Sequence, residues 1–159
     1  MKILVVYDST YGNTEQIAHA IGNALKKKND VRVLKAHDAD IDHLKELDLL
    51  IVGSPTIGFN PSDLISNFLK KIHFIGLRDV KVTAFDTRLS IEDIKSPALR
   101  FLVKSGGYAA RRIADRLKSH GGELIVPPEG FLVVGEEGPL KEGEMERAAQ
   151  WAKNMMSIR

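Results

Sequence analysis

Ser9-Thr10-Tyr11-Gly12-Asn13-Thr14 gathers hydroxyl side chains, one glycine and one asparagine into a single short stretch. The apolar run Ile3-Leu4-Val5-Val6 precedes it, and Ile17, Ile21 and Leu25 follow at helical spacing, so the stretch joins a strand to a helix. A helix start leaves backbone N–H groups unpaired and carries the positive end of the helix dipole, which suits an anion. The same hydroxyls also serve an ordinary helix cap, and the loop alone leaves both readings open. No lysine or arginine lies between Asp8 and Thr14. A phosphate there would rest on N–H groups, hydroxyls and the dipole, each hydrogen bond to the charged group contributing about 1.5 to 3 kcal/mol. Nucleotide triphosphatases need G-x-x-x-x-G-K-[ST], which the chain lacks, so a monophosphate fits better.

Other chemistries are narrowed by what the sequence omits. With no cysteine there are no disulfides, thiolate metal sites or cysteine nucleophiles, and low-molecular-weight phosphatase chemistry goes with them. His19, His37, His43, His73 and His120 show no metal-ligand spacing, so no metal site is expected. G-x-S-x-G is missing, Gly12 stands alone where a dinucleotide site would want G-x-G-x-x-G, and no aspartate ends the third apolar strand as in a response-regulator receiver. A net charge of +2, with both signs interspersed, does not mark a nucleic-acid binder. The first seven residues are too short for a secretory signal and no run approaches a membrane span, so a soluble cytoplasmic protein without a membrane partner is expected. The length of 159 residues predicts one domain over 1–159.

The positioning elements alternate. Strands are predicted at Lys2–Tyr7, Val31–Leu34 near an edge, Asp48–Gly53 and Val80–Phe85, with a last strand made of Glu123–Val126 and Phe131–Val134 interrupted by Pro127-Pro128 and Gly130. Helices are predicted over Asn13–Lys28, Asp63–Phe74 and from Gly106-Gly107 to Gly121-Gly122, with a final one placing Met145, Ala148, Ala149, Ala152 and Met155 inward. A short helix is expected near Ile41–Leu47, and another within the long connection from Asp86 to Gly106, where Ile91, Ile94, Leu99, Leu102 and Val103 offer apolar surface. Five strands alternating with helices suggest an α/β fold, a doubly wound parallel sheet of order 2-1-3-4-5 with helices on both faces. Ligands of such sheets sit beyond the carboxyl ends of the strands at the switch point, which singles out the loops after Tyr7, Gly53 and Phe85.

Two of those loops resemble the flavodoxin family. Ser9–Thr14 is similar to its phosphate loop, and Gly53-Ser54-Pro55-Thr56-Ile57-Gly58 to its second flavin loop; Phe85-Asp86-Thr87-Arg88-Leu89 has the expected place without the family's glycine- and aromatic-rich pattern. The resemblance spans the chain in element order and implies a flavodoxin-like fold that binds FMN. It assigns phosphate contacts to Ser9, Thr10, Gly12, Asn13 and Thr14, with Tyr11 where the family often has Ser or Thr. It sets Thr56 and Ile57 beside the flavin ring and Gly58 near N5, where the peptide can rotate at little steric cost, and Pro55 of the same loop joins the cofactor-binding candidates. The family often has an aromatic at the Ile57 position, and Phe59 can supply that wall. In the third loop, Asp86, Thr87 and Arg88 complete the candidate set, Asp86 as acceptor from flavin N3–H or as a cap of the next turn. Arg88 is either a cation beside the ring, favouring the reduced flavin by about 2 kcal/mol or roughly 100 mV, or the surface partner of Asp86, Glu92 or Asp93. Leu89 and Tyr108 are candidates for the outer wall, and Trp151 reads as packing.

The function implied is an FMN-binding electron-transfer protein shuttling single electrons between redox partner proteins, with no catalytic side chain and no implied oligomeric state. The alternative is an NAD(P)H-dependent FMN oxidoreductase that reduces a quinone or similar acceptor. A flavin-free interaction module would keep the fold alone. Most flavodoxins show an acidic face to basic partners; with 23 basic against 21 acidic residues, little long-range pull of that kind and a weak salt dependence are expected.

Overall fold

Leu4 and Val6 leave the first strand on one face and Ile3, Val5 and Tyr7 on the other, and all five are buried. A strand apolar on both faces needs a cover on each, and the two cores lie on opposite sides of one sheet. The computed structural model describes residues 1–158, and of residues 102–106 the backbone alone. Its strands are β1 (Lys2–Tyr7), β2 (Asp30–Lys35), β3 (Leu49–Pro55), β4 (Lys81–Leu89), β5 (Glu123–Leu124) and β6 (Glu129–Val133). The helices are α1 (Asn13–Leu25), α2 (Asp63–Ile72), α3 (Pro97–Gly106), α4 (Ala109–Ser119) and α5 (Glu144–Met155), with short 3-10 turns at Ala36–Asp38, Ile41–Leu44 and Ile91–Asp93.

The order β2-β1-β3-β4-β5 is the one expected, every pairing is parallel, and β6 also lies on β4. On one face α2 and α4 bring Ile65, Phe68, Leu69, Ile113 and Leu117 against Leu4, Val6, Leu50 and Val52. On the other, α1 and α5 bring Ile17, Ile21, Ala148 and Ala152 against Ile3, Val5, Leu49, Ile51 and Phe85. Register aligns Tyr7 with Gly53 and Gly53 with Phe85, so where β1 ends, β3 continues to Pro55 and β4 to Leu89 at the same edge of the sheet.

The last strand is split, as its prolines predicted, into β5 and β6. β5 starts where Glu123 meets Lys81, and β6 restarts where Glu129 meets Phe85, two residues out of step because Pro127 and Pro128 lie between them. The restart gives Phe85–Leu89 ladder partners, so β4 runs past the predicted end at Phe85. Asp86, Thr87 and Arg88, read as loop, are strand residues. Other ends move for local reasons. Asn29 Nδ2 donates to Leu25 O at 2.9 Å and stops α1 before Lys26. The helix predicted from Gly106-Gly107 opens at Ala109 with Tyr108 as its N-cap. The long connection does carry a helix, α3; Leu99 is 43% exposed in it, while the Leu102 and Val103 side chains lie outside the described residues.

Met145, expected inward, is 43% exposed, because Glu144 takes the inward place. Its carboxylate accepts from Leu132 N at 2.6 Å and from Arg147, whose guanidinium also reaches Gly130 O, so α5 grips the free edge of β6. Burial works against the Glu144 charge, but Arg147, the Leu132 N–H and Lys141 together outweigh it and hold its carboxyl below the ordinary value of 4.5. A carboxyl depressed in the folded state lends stability above its unfolded pKa and loses it as pH falls through the folded one. Urea unfolding followed below about pH 4.5 should therefore show an acid-limb loss that Glu144→Gln removes, leaving the variant weaker at neutral pH. The sheet gives a second expectation. A Cβ on Gly53 would fall on the Phe85 ring, so Gly53→Ala should cost about 1–3 kcal/mol by the same measurement.

Candidate functional site

The loop between β1 and α1 folds around the Ser9 hydroxyl. Ser9 Oγ accepts from Gly12 N at 3.1 Å and Glu15 N at 3.3 Å, while Ser9 N donates to Asp8 Oδ1 at 2.9 Å. Gly12 sits at φ 92, a left-handed conformation that turns the chain into the helix and that glycine adopts without strain. The N–H groups of Thr10, Tyr11, Asn13 and Thr14 find no acceptor among the described residues. Four unpaired donors at a helix start whose N-cap, Gly12, brings no side chain of its own make a cradle suited to an anion. Two side chains of the loop are spent on holding it: Thr14 Oγ1 bonds Thr87 Oγ1 at 2.8 Å on β4, and Asn13 Nδ2 donates to Glu137 O at 3.1 Å.

The chain after β3 forms a tight hairpin. Ile57 N donates to Asn60 O at 2.9 Å and Asn60 N to Ile57 O at 3.0 Å, with Gly58 at φ 52 and Phe59 at φ 67 between them. Two central residues at positive φ mark a type I′ turn. Glycine suits its position, whereas phenylalanine at positive φ costs about 1–2 kcal/mol. Such strain persists where the surroundings hold it, and here it carries the Phe59 ring to the cavity.

A cavity of about 460 Å³ opens at these strand ends, within the range of cofactor sites. It is lined by Ser9, Thr10, Tyr11, Asn13, Thr14, Pro55, Thr56, Gly58, Phe59, Thr87 and Arg88 of the candidate set. Gly12, Ile57 and Asp86 do not line it. Gly12 acts through the backbone turn, and Ile57 is 54% exposed on the outside of the hairpin. Asp86 has no exposed surface: it is bound by Arg88 Nε at 2.6 Å and Nη2 at 2.8 Å, and by Ala110 N at 2.8 Å. It therefore neither faces a flavin N3–H nor caps the following turn, but fixes α4 and Arg88 from inside. Burial raises its carboxyl above the ordinary value, with Arg88 and then the Ala110 N–H pulling the other way.

Arg88 is thus paired with Asp86, the carboxylate buried and the guanidinium half-buried at the cavity. Its guanidinium lies 3.8 Å from the Tyr108 ring centroid, a cation–π stack, and Tyr108 Oη donates to Leu89 O at 3.2 Å. Space for it comes from Gly130, where a Cβ would meet the guanidinium. Both named wall candidates, Leu89 and Tyr108, line the cavity, and Trp151 packs against Phe131 at 6.0 Å between ring centroids. Sequence reasoning missed Asp93, Ile94, Lys95, Leu99, Val133 and Glu136 as lining residues. Val133 ends β6 and Glu136 follows it, and the switch-point rule extended to every strand end would have reached them.

Residues 5–151 match the family model described as flavodoxin. The chain belongs to the flavodoxin family. Flavodoxins bind FMN, and the cradle and slot suit it: N–H donors for a phosphate at one end, Pro55, Phe59, Leu89 and Tyr108 as largely apolar walls at the other. Oxidised Flavodoxin 1 from Bacillus cereus superposes with a TM-score of 0.79 at 20% identity, covering 100% of this chain and 99% of that one. A flavodoxin from the domain Archaea does so with a TM-score of 0.79 at 25% identity, over 99% and 97% of the two chains. Rubredoxin oxygen:oxidoreductase from the anaerobe Desulfovibrio gigas matches with a TM-score of 0.77 at 16% identity, over 99% of this chain but 36% of that one.

Within this flavodoxin frame the Thr14–Thr87 bond ties the start of α1 to β4. Each single change, Thr14→Val or Thr87→Val, leaves the other buried hydroxyl unpaired. A double-mutant cycle by urea denaturation should accordingly give a coupling of about 1 kcal/mol.

Proposed function

We propose that the chain is a carrier of single electrons that holds FMN across its three strand ends and exchanges electrons with redox partner proteins. The observation that carries this reading is the set of four unpaired N–H groups, on Thr10, Tyr11, Asn13 and Thr14, in a cavity-lining loop that contains no cation. Donors without a lysine match a terminal monophosphate, whose charge the helix dipole and N–H groups balance. FMN, when bound, supplies the electron chemistry; the chain supplies binding, orientation and electrostatics.

Ser9 and Gly12 shape the cradle, and Thr14 and Asn13 anchor it to Thr87 and Glu137. Pro55, Thr56, Gly58 and Phe59 form one wall of the slot, and Tyr108 with Arg88 behind it forms the other. Because Arg88 shares its charge with Asp86, it offers the slot a dipole rather than a free cation, and it shifts the potential by less than the 100 mV scale of an unpaired charge. No side chain has to act as general acid or base.

Titrating the protein freed of ligand with FMN should quench flavin fluorescence. Riboflavin, which lacks the phosphate, should bind at least about 100-fold more weakly, the equivalent of two or more charge-assisted hydrogen bonds. At Gly12 a Cβ meets open space, so Gly12→Ala adds backbone strain alone and should weaken FMN by about 5- to 30-fold while changing riboflavin much less. Equal affinity for the two flavins would sink the cradle assignment. Rapid reduction of the FMN-loaded protein by NADH or NADPH alone would move the reading to an FMN-dependent oxidoreductase.

A further inference from the structure

The near-balanced charge of the chain conceals a segregation. From Ile94 to Ala114 there are five cations, Lys95, Arg100, Lys104, Arg111 and Arg112, and no carboxylate, so a net charge of +2 divides into a +5 segment and a −3 remainder. Lys95, Arg100, Arg111 and Arg112 are exposed, and among the described residues none forms an ion pair. This segment is part of the mouth itself: Ile94, Lys95 and Leu99 line the cavity, and Arg111 lies beside Gly107 and Tyr108 in the adjoining groove. Carboxylates nearby are Glu92, Asp93, which is paired with Lys141 at 3.2 Å, and Asp115 in the groove with Arg111. Beside the Ser9–Thr14 loop the chain carries Asp8 and Glu15, Glu136 also lines the cavity, and Glu137 O accepts from Asn13 Nδ2.

Two large apolar side chains stand among these cations, Leu99 at 43% and Phe101 at 69% exposure. Arg100 is held in place by donating to the carbonyls of Ile94 and Glu92, which fixes the turn before α3. Aromatic and arginine side chains on a preordered element beside a redox cavity are the composition of a protein-docking patch. We propose that the α3 side of the cavity mouth is the docking face for an acidic electron-transfer protein. The partner's carboxylates meet Lys95, Arg100 and Arg111, and an apolar patch at its redox edge covers Leu99 and Phe101. This reverses the polarity of the usual acidic flavodoxin face, and it rests on the carrier reading above. A lipid surface is disfavoured because it offers no acceptor at the rim where the electron must leave.

Hexacyanoferrate(III) is a suitable anionic probe. Each ion takes one electron and becomes hexacyanoferrate(II), so two oxidise fully reduced FMN, and the hydrogens it gained on reduction leave as protons to solvent. In stopped-flow oxidation of the reduced FMN-loaded protein, the rate should fall about threefold or more between low and moderate salt. In Arg111→Glu/Arg112→Glu, both outside the cavity lining and with the flavin spectrum unchanged, the low-salt rate should drop by a similar factor and the salt dependence vanish or invert. A salt-independent rate, or one untouched by the double substitution, would overturn the proposal. A second measurement needs no flavin. Amide NMR shifts of the FMN-free protein titrated with poly-L-glutamate should cluster at residues 94–112, and shifts confined to other surfaces would overturn it. So would sedimentation with phosphatidylglycerol vesicles at moderate salt, which would assign the face to a membrane. Failure to bind FMN with the NMR cluster intact would remove the carrier reading and leave the acidic-protein surface.

Discussion

A carboxylate with no exposed surface has to be fully hydrogen-bonded or it costs several kcal/mol, and Asp86 meets that demand by recruiting three parts of the molecule. Both guanidinium bonds of Arg88 go to it, which lays the guanidinium over the Tyr108 ring. The Ala110 N–H goes to it as well, which sets the start of α4 and with it the height of Tyr108 above the cavity. The far wall of the slot is therefore placed by electrostatics from behind rather than by apolar packing. Gly130 on β6 is part of the same arrangement, since any side chain there would push the guanidinium off its ring. Replacing such a pair by apolar groups need not cost stability, so its value lies in geometry.

The near wall is built on a different principle. The I′ turn at Gly58-Phe59 takes its shape from two reciprocal backbone bonds and holds a phenylalanine in a conformation phenylalanine avoids. One wall is thus fixed by a buried charge and the other by backbone strain, with the anion cradle between them fixed by Ser9. Three independent devices converge because the register of β1, β3 and β4 sets Tyr7, Gly53 and Phe85 side by side, with β3 and β4 running on from there to the cavity.

Periodicity made the frame legible. Apolar runs such as Leu49–Val52, bounded by Gly53 and Pro55, can hardly be anything but a buried parallel strand, and Ile17, Ile21 and Leu25 can hardly be anything but a covering helix face. The first loop was legible because its residue types and its lack of lysine are local facts. Asp86 was not, since a charged residue after an apolar run looks the same whether the strand ends or continues. The clue lay in its spacing from Arg88, two residues apart and so on one strand face, where opposite charges can pair. Met145 and Glu144 show the converse: helical spacing ranked methionine as the inward residue, and the unpaired N–H of Leu132 gave the place to glutamate. The lining by Ile94, Lys95 and Leu99 depends on a connection folding back over the mouth, which no window of sequence records.

The break in the last strand has a consequence for how the molecule behaves among its own copies. An open sheet has two edges, and a row of free N–H and C=O groups along either is a template for another chain to add a strand. At one edge the prolines 127 and 128 remove two donors and interrupt the row, and beyond them Glu144 and Arg147 already occupy Leu132 N and Gly130 O. At the other, β2 carries Asp30, Arg32 and Lys35 outward. Both edges thus resist ribbon-like self-association by different means, one through prolines and occupied backbone groups and the other through exposed charge.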